Sequence, residues 1–205
     1  MEKVEESHWE KVYQTKDTTQ VGWFQTKPQV SIDLISRAKI SKNSPIIDVG
    51  GGDGVLVDWL LEEGFEDVSV LDISDSALRK AKNRLGKSAS KVQWITSDIL
   101  EFEPEGKFHL WHDRAVFHFL IDPQEQQIYR RLVECSIVPG GYLLMMTFSK
   151  SGPKTCSGLP VQQYDIHELE EFFSDDFDLI ESLNYDHRTP SGSAQNYSVC
   201  LFQRR

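Results

Sequence analysis

The sequence predicts an α/β fold, a doubly wound, seven-stranded and mostly parallel sheet that ends in an antiparallel hairpin. Three observations predict it. From residue 45 to 148 short apolar runs alternate with helical patterns, the signature of parallel strands joined by crossover helices. The first run, IIDVGGGDG at 46–54, reads as a buried strand that breaks into a glycine-rich turn. The last two strand-like segments, 177–185 and 195–203, are separated only by the polar HRTPSGSAQ connection, too short for a crossover helix, so they should pair antiparallel.

Taken in order, strands are expected at about 45–50, 68–72, 91–95, 108–113 and 141–148. Between the first two, Val55, Leu56, Trp59 and Leu60 share a helical face and Gly64 supplies the stop, with Asp53 or Gly54 opening the helix. Asp75 or Ser76 can cap the next helix, which carries Ala77, Leu78, Ala81 and Leu85 and ends at Gly86. Asp122 followed by Pro123 opens a helix through about Cys135. Pro139, Gly140 and Gly141 force a turn ahead of YLLMMTF, and a further helix is expected at about 165–174.

Composition narrows the classes of function. The 32 acidic and 22 basic residues leave a formal charge of −10 with no Lys/Arg-rich block, which disfavours a nucleic-acid backbone as partner and tilts towards neutral or cationic substrates. There is no run of eighteen apolar residues and the first residues are charged, so neither a membrane span nor a secretory signal is expected, and the protein is expected in the cytoplasm. Cys135, Cys156 and Cys200 have no paired spacing, so neither a disulfide framework nor a zinc site is expected, and no metal site is proposed.

The chemistry begins at the glycine turn. A strand that stops at glycines lets backbone N–H groups come close to a ligand, and Asp72, closing the second strand eighteen residues beyond Gly54, can accept hydrogen bonds from a ribose. That pairing points to a nucleoside-bearing cofactor. The dinucleotide fingerprint needs a third glycine where Val55 stands, so a nicotinamide or flavin oxidoreductase loses one of its supports.

What remains is acidic-x-Gly-x-Gly-x-Gly, namely Asp48, Gly50, Gly52 and Gly54, followed by Asp72 in VSVLDIS. This resembles the opening motifs of the class I S-adenosylmethionine-dependent methyltransferases, whose sheet also ends in a hairpin. The resemblance implies S-adenosylmethionine as cofactor. It implies Gly50, Gly51 and Gly52 beneath the methionine and ribose, Asp48 bracing the loop through backbone hydrogen bonds, and Asp72 on both ribose hydroxyls. Ile73 would lie against the adenine, with Asp98 and Ile99 lining its pocket. A strand-end turn or a helix cap is the alternative for Asp72, and capping for Asp98.

The fourth strand ends in WHDRAVFHF, where members of the family meet both cofactor and substrate. Asp113 is placed at the cofactor by that resemblance, and His118, His112 and Asp113 are the candidates for removing a proton from an acceptor. Phe117 and Phe119 can equally be core, and both histidines can be structural. Near the start, Trp9, Tyr13, Trp23 and Phe24 resemble the opening of small methyltransferases that include protein-lysine methylating members. An N-terminal lid is implied, with Trp9, Tyr13 and Trp23 against the cofactor, where an aromatic face beside a sulfonium gains about 0.5–2 kcal/mol. Ordinary packing on the sheet is the alternative for each ring.

Residues 1–205 are thus expected to form one methyltransferase domain: 1–40 a lid, 41–150 the cofactor-binding core, and 151–205 the substrate-side loop, helix and hairpin. Cys156, Tyr164, His187, Arg188 and Gln195 are expected around the acceptor pocket. DRAVFHFL, CSGLP and HRTP together resemble a bacterial branch of the family. The implied reaction is methyl transfer by in-line displacement to a small molecule or a protein side chain. The rivals are an adenosyl-binding protein without turnover and a nucleotide-cofactor oxidoreductase.

Overall fold

The computed structural model describes residues 4–205. Helices α1 (Val4–Thr15) and α2 (Gln29–Ala38) precede the sheet. The sheet is then built from β1 (Ile46–Val49), β2 (Val68–Asp72), β3 (Val92–Thr96), β4 (Phe108–Arg114) and β5 (Ile137–Phe148), with α3 (Leu56–Glu62), α4 (Asp75–Leu85) and α5 (Pro123–Ser136) between them. A two-residue ladder pairs β6 (Thr155–Cys156) with β7 (Leu159–Pro160) inside the loop after β5, an element the sequence did not announce. Helix α6 (Ile166–Phe173) leads into β8 (Phe177–Arg188) and β9 (Ala194–Arg204).

The strand order is β3-β2-β1-β4-β5-β9-β8. The first five strands pair in parallel, and β9 runs antiparallel to both β5 and β8. The hairpin therefore folds back, seating its second strand between β5 and β8. Strand order reverses at β1 and β4, where loops leave in opposite directions and open a crevice at the carboxyl ends.

Alternation along the strands sorts side chains onto two faces. Ile46, Val68, Val70, Leu110, Leu144 and Met146 pack with Leu34 and Ile35 of α2, Leu56, Val57 and Leu60 of α3, and Leu78 of α4. Ile47, Val49, Trp111, Leu143 and Met145 pack on the other face with Tyr129 and Val133 of α5 and Leu169 and Phe173 of α6. The parity settles which functional candidates can meet. Asp48, His112 and Arg114 share the first face, and Asp113 turns to the second.

Three local expectations change. Ser74, not Asp75 or Ser76, caps α4, its hydroxyl accepting the Ala77 N–H at 3.2 Å. Helix α3 starts at Leu56, two residues later than Gly54, because Gly54 N–H closes a turn onto the Gly51 carbonyl at 2.8 Å. Pro139, Gly140 and Gly141 form an irregularity within β5: Ile137 pairs with Phe108 and Tyr142 with Leu110, and Gly140 has φ +77°. Asp122 caps α5 with Pro123 in its first turn, as expected.

Candidate active site

One cavity of about 420 Å³ opens at the carboxyl ends of the parallel strands. The glycine turn forms its floor. Gly50 has φ +64°, and a Cβ there would fall on the Val116 Cγ2 methyl. A Cβ on Gly51 would stand 2.6 Å from Val70 Cγ1 and 2.8 Å from Asp48 Oδ2. At Gly52, φ +54°, it would stand 2.6 Å from the Tyr13 hydroxyl and 3.3 Å from Asp72 Oδ2. Bare backbone is thus the only covering this turn accepts. Arg84 of α4 holds the turn from behind, donating to the Asp53 and Gly54 carbonyls at 2.6 Å each while pairing with Asp58 at 2.7 Å.

Asp72 is buried at the tip of β2. Its Oδ1 accepts the Ser74 N–H at 2.8 Å, and no cation pairs with it among the described residues. Burial pushes the carboxyl up to about 7, against the pull of the Ser74 and Gly52 amides and with a further push from Asp53 and Asp48. A buried carboxylate without a counter-ion is stabilised by hydroxyl donors, which is what a ribose diol supplies. Ile73, Asp98 and Ile99 line the cavity beyond it, with Ser97 and Leu100. Asp98 Oδ1 also accepts the Leu100 N–H at 2.9 Å, so the turn-bracing alternative holds for one of its oxygens.

Asp48 is braced differently from the expectation. Its partner is a side chain: Oδ1 lies 2.7 Å from His112 Nδ1, and His112 Nε2 lies 2.9 Å from the Ser31 hydroxyl of α2. His112 lines the cavity with both ring nitrogens engaged, which suits a positioning residue better than a free base.

Asp113 and His118 are placed elsewhere, which corrects their assignment to the reacting groups. Asp113 lies on the α5 face, fully buried, accepting the Tyr129 hydroxyl at 2.5 Å and the Val116 and Phe117 N–H groups at 2.9 and 3.1 Å. Burial lifts it to about 6 despite those donors. It braces the turn after β4 and does not line the cavity, so its expected cofactor contact is withdrawn too. His118 is fully buried, its Nδ1 3.3 Å from the Phe148 N–H, and burial together with Arg114 holds it down to about 3. Neutral and walled in, it has no line to an acceptor.

The N-terminal aromatics close the cavity from above. Trp9 meets Trp23 at 5.6 Å and Phe119 at 5.3 Å between ring centroids, and Tyr13 meets Trp23 at 6.2 Å. All four rings line the cavity together with Phe24. Burial, with Asp72 and Asp53 nearby, raises the Tyr13 phenol well above its ordinary range. Glu10 ties α1 to the start of α4 through Ser74 and Ser76, and Asp53 accepts the Thr18 hydroxyl.

Of the residues expected around an acceptor, Cys156 lines the cavity, and burial pushes its thiol up to about 11. Tyr164 instead stacks on Phe117 in the α5 and α6 core, His187 meets the Gly22 carbonyl at 2.9 Å, Arg188 is exposed, and Gln195 accepts the Tyr197 hydroxyl at 3.4 Å. Also on the cavity wall, Thr18 and Tyr197 were not singled out in the sequence, Asp53 stood only as a helix start, and Arg114 and Val116 stood only within WHDRAVFHF. Arg114 carried a signal, a charge at the end of a buried strand. Tyr197 carried none, because only the insertion of β9 beside β5 brings it there.

A family model described as "Methyltransferase domain" matches residues 46–141. The human EEF1A lysine methyltransferase 2 is 23% identical over 214 residues, spanning 96% of this chain and 84% of that protein. The mouse eEF1A lysine and N-terminal methyltransferase is 22% identical over 151 residues, 70% of this chain, which spans only 21% of that longer protein. Among solved structures, the N-methyltransferase NodS from Bradyrhizobium japonicum WM9 in complex with S-adenosyl-L-homocysteine superposes with a TM-score of 0.73 at 16% identity, covering 97% of this chain and 98% of that one.

Proposed function

We propose that this chain, a class I S-adenosylmethionine-dependent methyltransferase, transfers a methyl group to a small-molecule or protein side-chain acceptor held at the β4 and β9 end of the cavity. One observation carries the cofactor side of this reading: the bare glycine turn and the Asp72 carboxylate, which no cation among the described residues pairs, face one cavity, and its far wall beyond Asp72 is Asp98 and Ile99.

The residues fit the cofactor. Asp72 would accept the ribose hydroxyls, Ile73 and Ile99 would flank the adenine, Asp98 would face its amino group, and Gly50 to Gly52 would pass beneath the remainder. When bound, S-adenosylmethionine supplies an electrophilic methyl on a sulfonium. The expected lid spans residues 1–40, of which 1–3 lie outside the described residues; its described part covers the cavity, with Trp9, Tyr13 and Trp23 presenting aromatic faces and excluding water. Asp48, His112 and Ser31 keep the turn in register with β4.

Of the described side chains at the acceptor end, Cys156 and Tyr197 are not poised as bases near neutrality, since burial raises them to about 11 and about 12. Catalysis therefore rests on alignment, which in well-oriented systems reaches effective molarities on the order of 10⁵–10⁸ M. The acceptor enters already unprotonated at the reacting atom. The described cysteines are free thiols and no described helix is long and apolar enough to cross a membrane; the thiols fit the reducing cytoplasm.

The test is thermal unfolding with S-adenosylhomocysteine, S-adenosylmethionine, NAD and FAD in parallel. At one hundred times its dissociation constant a ligand adds roughly 2.7 kcal/mol, about 5–10 °C for a domain of this size. Only the two adenosyl-sulfur compounds should shift the midpoint. Transfer of a labelled methyl to a component of cell extract then separates an enzyme from a binding protein.

A further inference from the structure

Arg114 is a cation on the cavity wall with no carboxylate partner among the described residues. Its Nη1 donates to the Trp23 carbonyl at 3.2 Å, and its guanidinium lies over the Tyr197 ring, 5.4 Å from the centroid. Nε and Nη2 are buried and meet no acceptor. Those two groups form the side-on edge of the guanidinium, the edge that binds a carboxylate with two parallel hydrogen bonds. Of the carboxylates that line the same cavity, Asp48 takes His112, Asp53 takes Thr18, Asp72 takes the Ser74 amide, Asp98 the Leu100 amide and Asp122 the Gln124 amide.

The sheet order places this edge. Asp98 follows β3, Asp72 ends β2 and the glycine turn follows β1, whereas Arg114 ends β4 and Tyr197 stands on β9 beyond it. With strands about 4.8 Å apart, Arg114 is two spacings from Asp72, on the side of the turn away from the adenine residues. Its neighbours there are aromatic or weakly acidic: Trp23, Tyr197, Cys156 and the neutral His118 and His187. Nothing among them compensates the charge.

We propose that Arg114 is the specificity-determining residue for the acceptor, and that its side-on edge receives a carboxylate or similar oxyanion carried by the molecule to be methylated. This rests on the methyltransferase reading. It also reverses the tilt of the net charge of −10, because a charge in direct contact inside a cavity outweighs a screened surface field. An isolated lysine ammonium would meet like charge at this position. The other source of the same chemistry is the carboxylate of the cofactor itself.

The full chain saturated with S-adenosylhomocysteine is titrated with sodium benzoate, benzamide, and sodium chloride at equal ionic strength, following the thermal midpoint. Benzoate should raise the midpoint by about 3–6 °C at ten times its dissociation constant, and benzamide should not. Arg114→Gln should lose the benzoate response, and Arg114→Lys should keep a weakened one. Affinities of Arg114→Gln for S-adenosylhomocysteine and for 5′-methylthioadenosine, which lacks the amino-acid portion, should both stay within about twofold of the parent.

Equal responses of the unaltered protein to benzoate and benzamide would overturn the proposal without need of a variant. So would a loss of S-adenosylhomocysteine affinity of about tenfold or more in Arg114→Gln with 5′-methylthioadenosine binding intact, which would assign the guanidinium to the cofactor carboxylate. Failure of the unaltered protein to bind S-adenosylhomocysteine would instead remove the methyltransferase reading, and this inference with it.

Discussion

Glu10 accepts both the backbone N–H of Ser76, at 3.0 Å, and the Ser76 hydroxyl, and so fastens the N-terminal helix to the first turn of α4. The Ser74 hydroxyl adds a third bond at 2.7 Å, and Arg79 stands 3.7 Å away. A carboxylate at a helix N-terminus also meets the positive end of the helix dipole. Partial burial opposes ionisation of Glu10, but the Ser76 and Ser74 donors outweigh it and hold the carboxyl down to about 2.

The latch should therefore weaken in acid. A carboxyl whose folded pKa is depressed contributes stability that is complete above its unfolded value, and this is lost as pH falls from about 4.5 towards 2. Glu10→Gln should reproduce the acid state at neutral pH. Tryptophan emission from Trp9 and Trp23 should shift to the red as the lid loosens, and S-adenosylhomocysteine affinity should fall about fivefold or more, equivalent to about 1 kcal/mol or more. Unchanged emission and affinity in Glu10→Gln would mean that the latch plays no part in closing the cavity.

Asp72 gives the opposite sign. Its folded pKa, raised to about 7, exceeds the ordinary 3.8, so ionisation costs stability in the ligand-free protein, and that cost grows as pH rises between those values. A ribose donates to the ionised form, so affinity for S-adenosylhomocysteine should rise about tenfold from pH 6 to pH 8. Asp72→Asn should flatten that rise and weaken binding at pH 8. A variant that binds as tightly as the parent at both pH values would end the ribose assignment.

Gly50 and Val116 make a matched pair. Gly50→Ala suffers both a left-handed backbone, at φ +64°, and overlap with the Val116 Cγ2 methyl. It should lose measurable cofactor binding. Gly50→Ala with Val116→Ala removes the overlap and leaves only the backbone strain, about 1–2 kcal/mol, so calorimetry should find part of the affinity restored. No recovery would mean that the backbone N–H groups alone decide the turn's function.

Asp113 should behave as a brace. Asp113→Asn replaces a buried acceptor that serves the buried Tyr129 hydroxyl and Phe117 amide and the half-buried Val116 amide, and should cost about 2–4 kcal/mol of stability. Denaturant unfolding should reveal the loss, and at low temperature, where the variant stays folded, affinity for S-adenosylhomocysteine should remain within a few-fold of the parent. A collapse of affinity with stability intact would return Asp113 to the cofactor site.

Much of this site was legible along the chain because its signals are local. The glycine turn, the strand ending at Asp72, and Asp98 with Ile99 each sit on a few consecutive residues whose backbone needs are written in their own identities. WHDRAVFHF shows the limit. Read as a string, it offers Asp113, Arg114 and His118 as equals, but strand alternation sends Asp113 to the α5 face and Arg114 to the cavity, while the turn beyond buries His118. Which parity faces ligand depends on which helices cover each side of the sheet, and no short window carries that information.

By itself, the sequence determined the alternating parallel sheet with its terminal hairpin, the glycine-lined bend, and the acidic residue at the tip of the second strand, because backbone conformation and hydrophobic periodicity are properties of neighbouring residues. Only the tertiary structure decided that His112 joins Asp48 to Ser31, that Glu10 latches the lid onto Ser76, and that Arg114 lies over the Tyr197 ring. Those pairs lie 83 residues apart for Arg114 and Tyr197, 66 for Glu10 and Ser76, and 64 for His112 and Asp48. Such contacts exist only once the strands have taken their order in the sheet and the chain's burial has chosen a face for each of them.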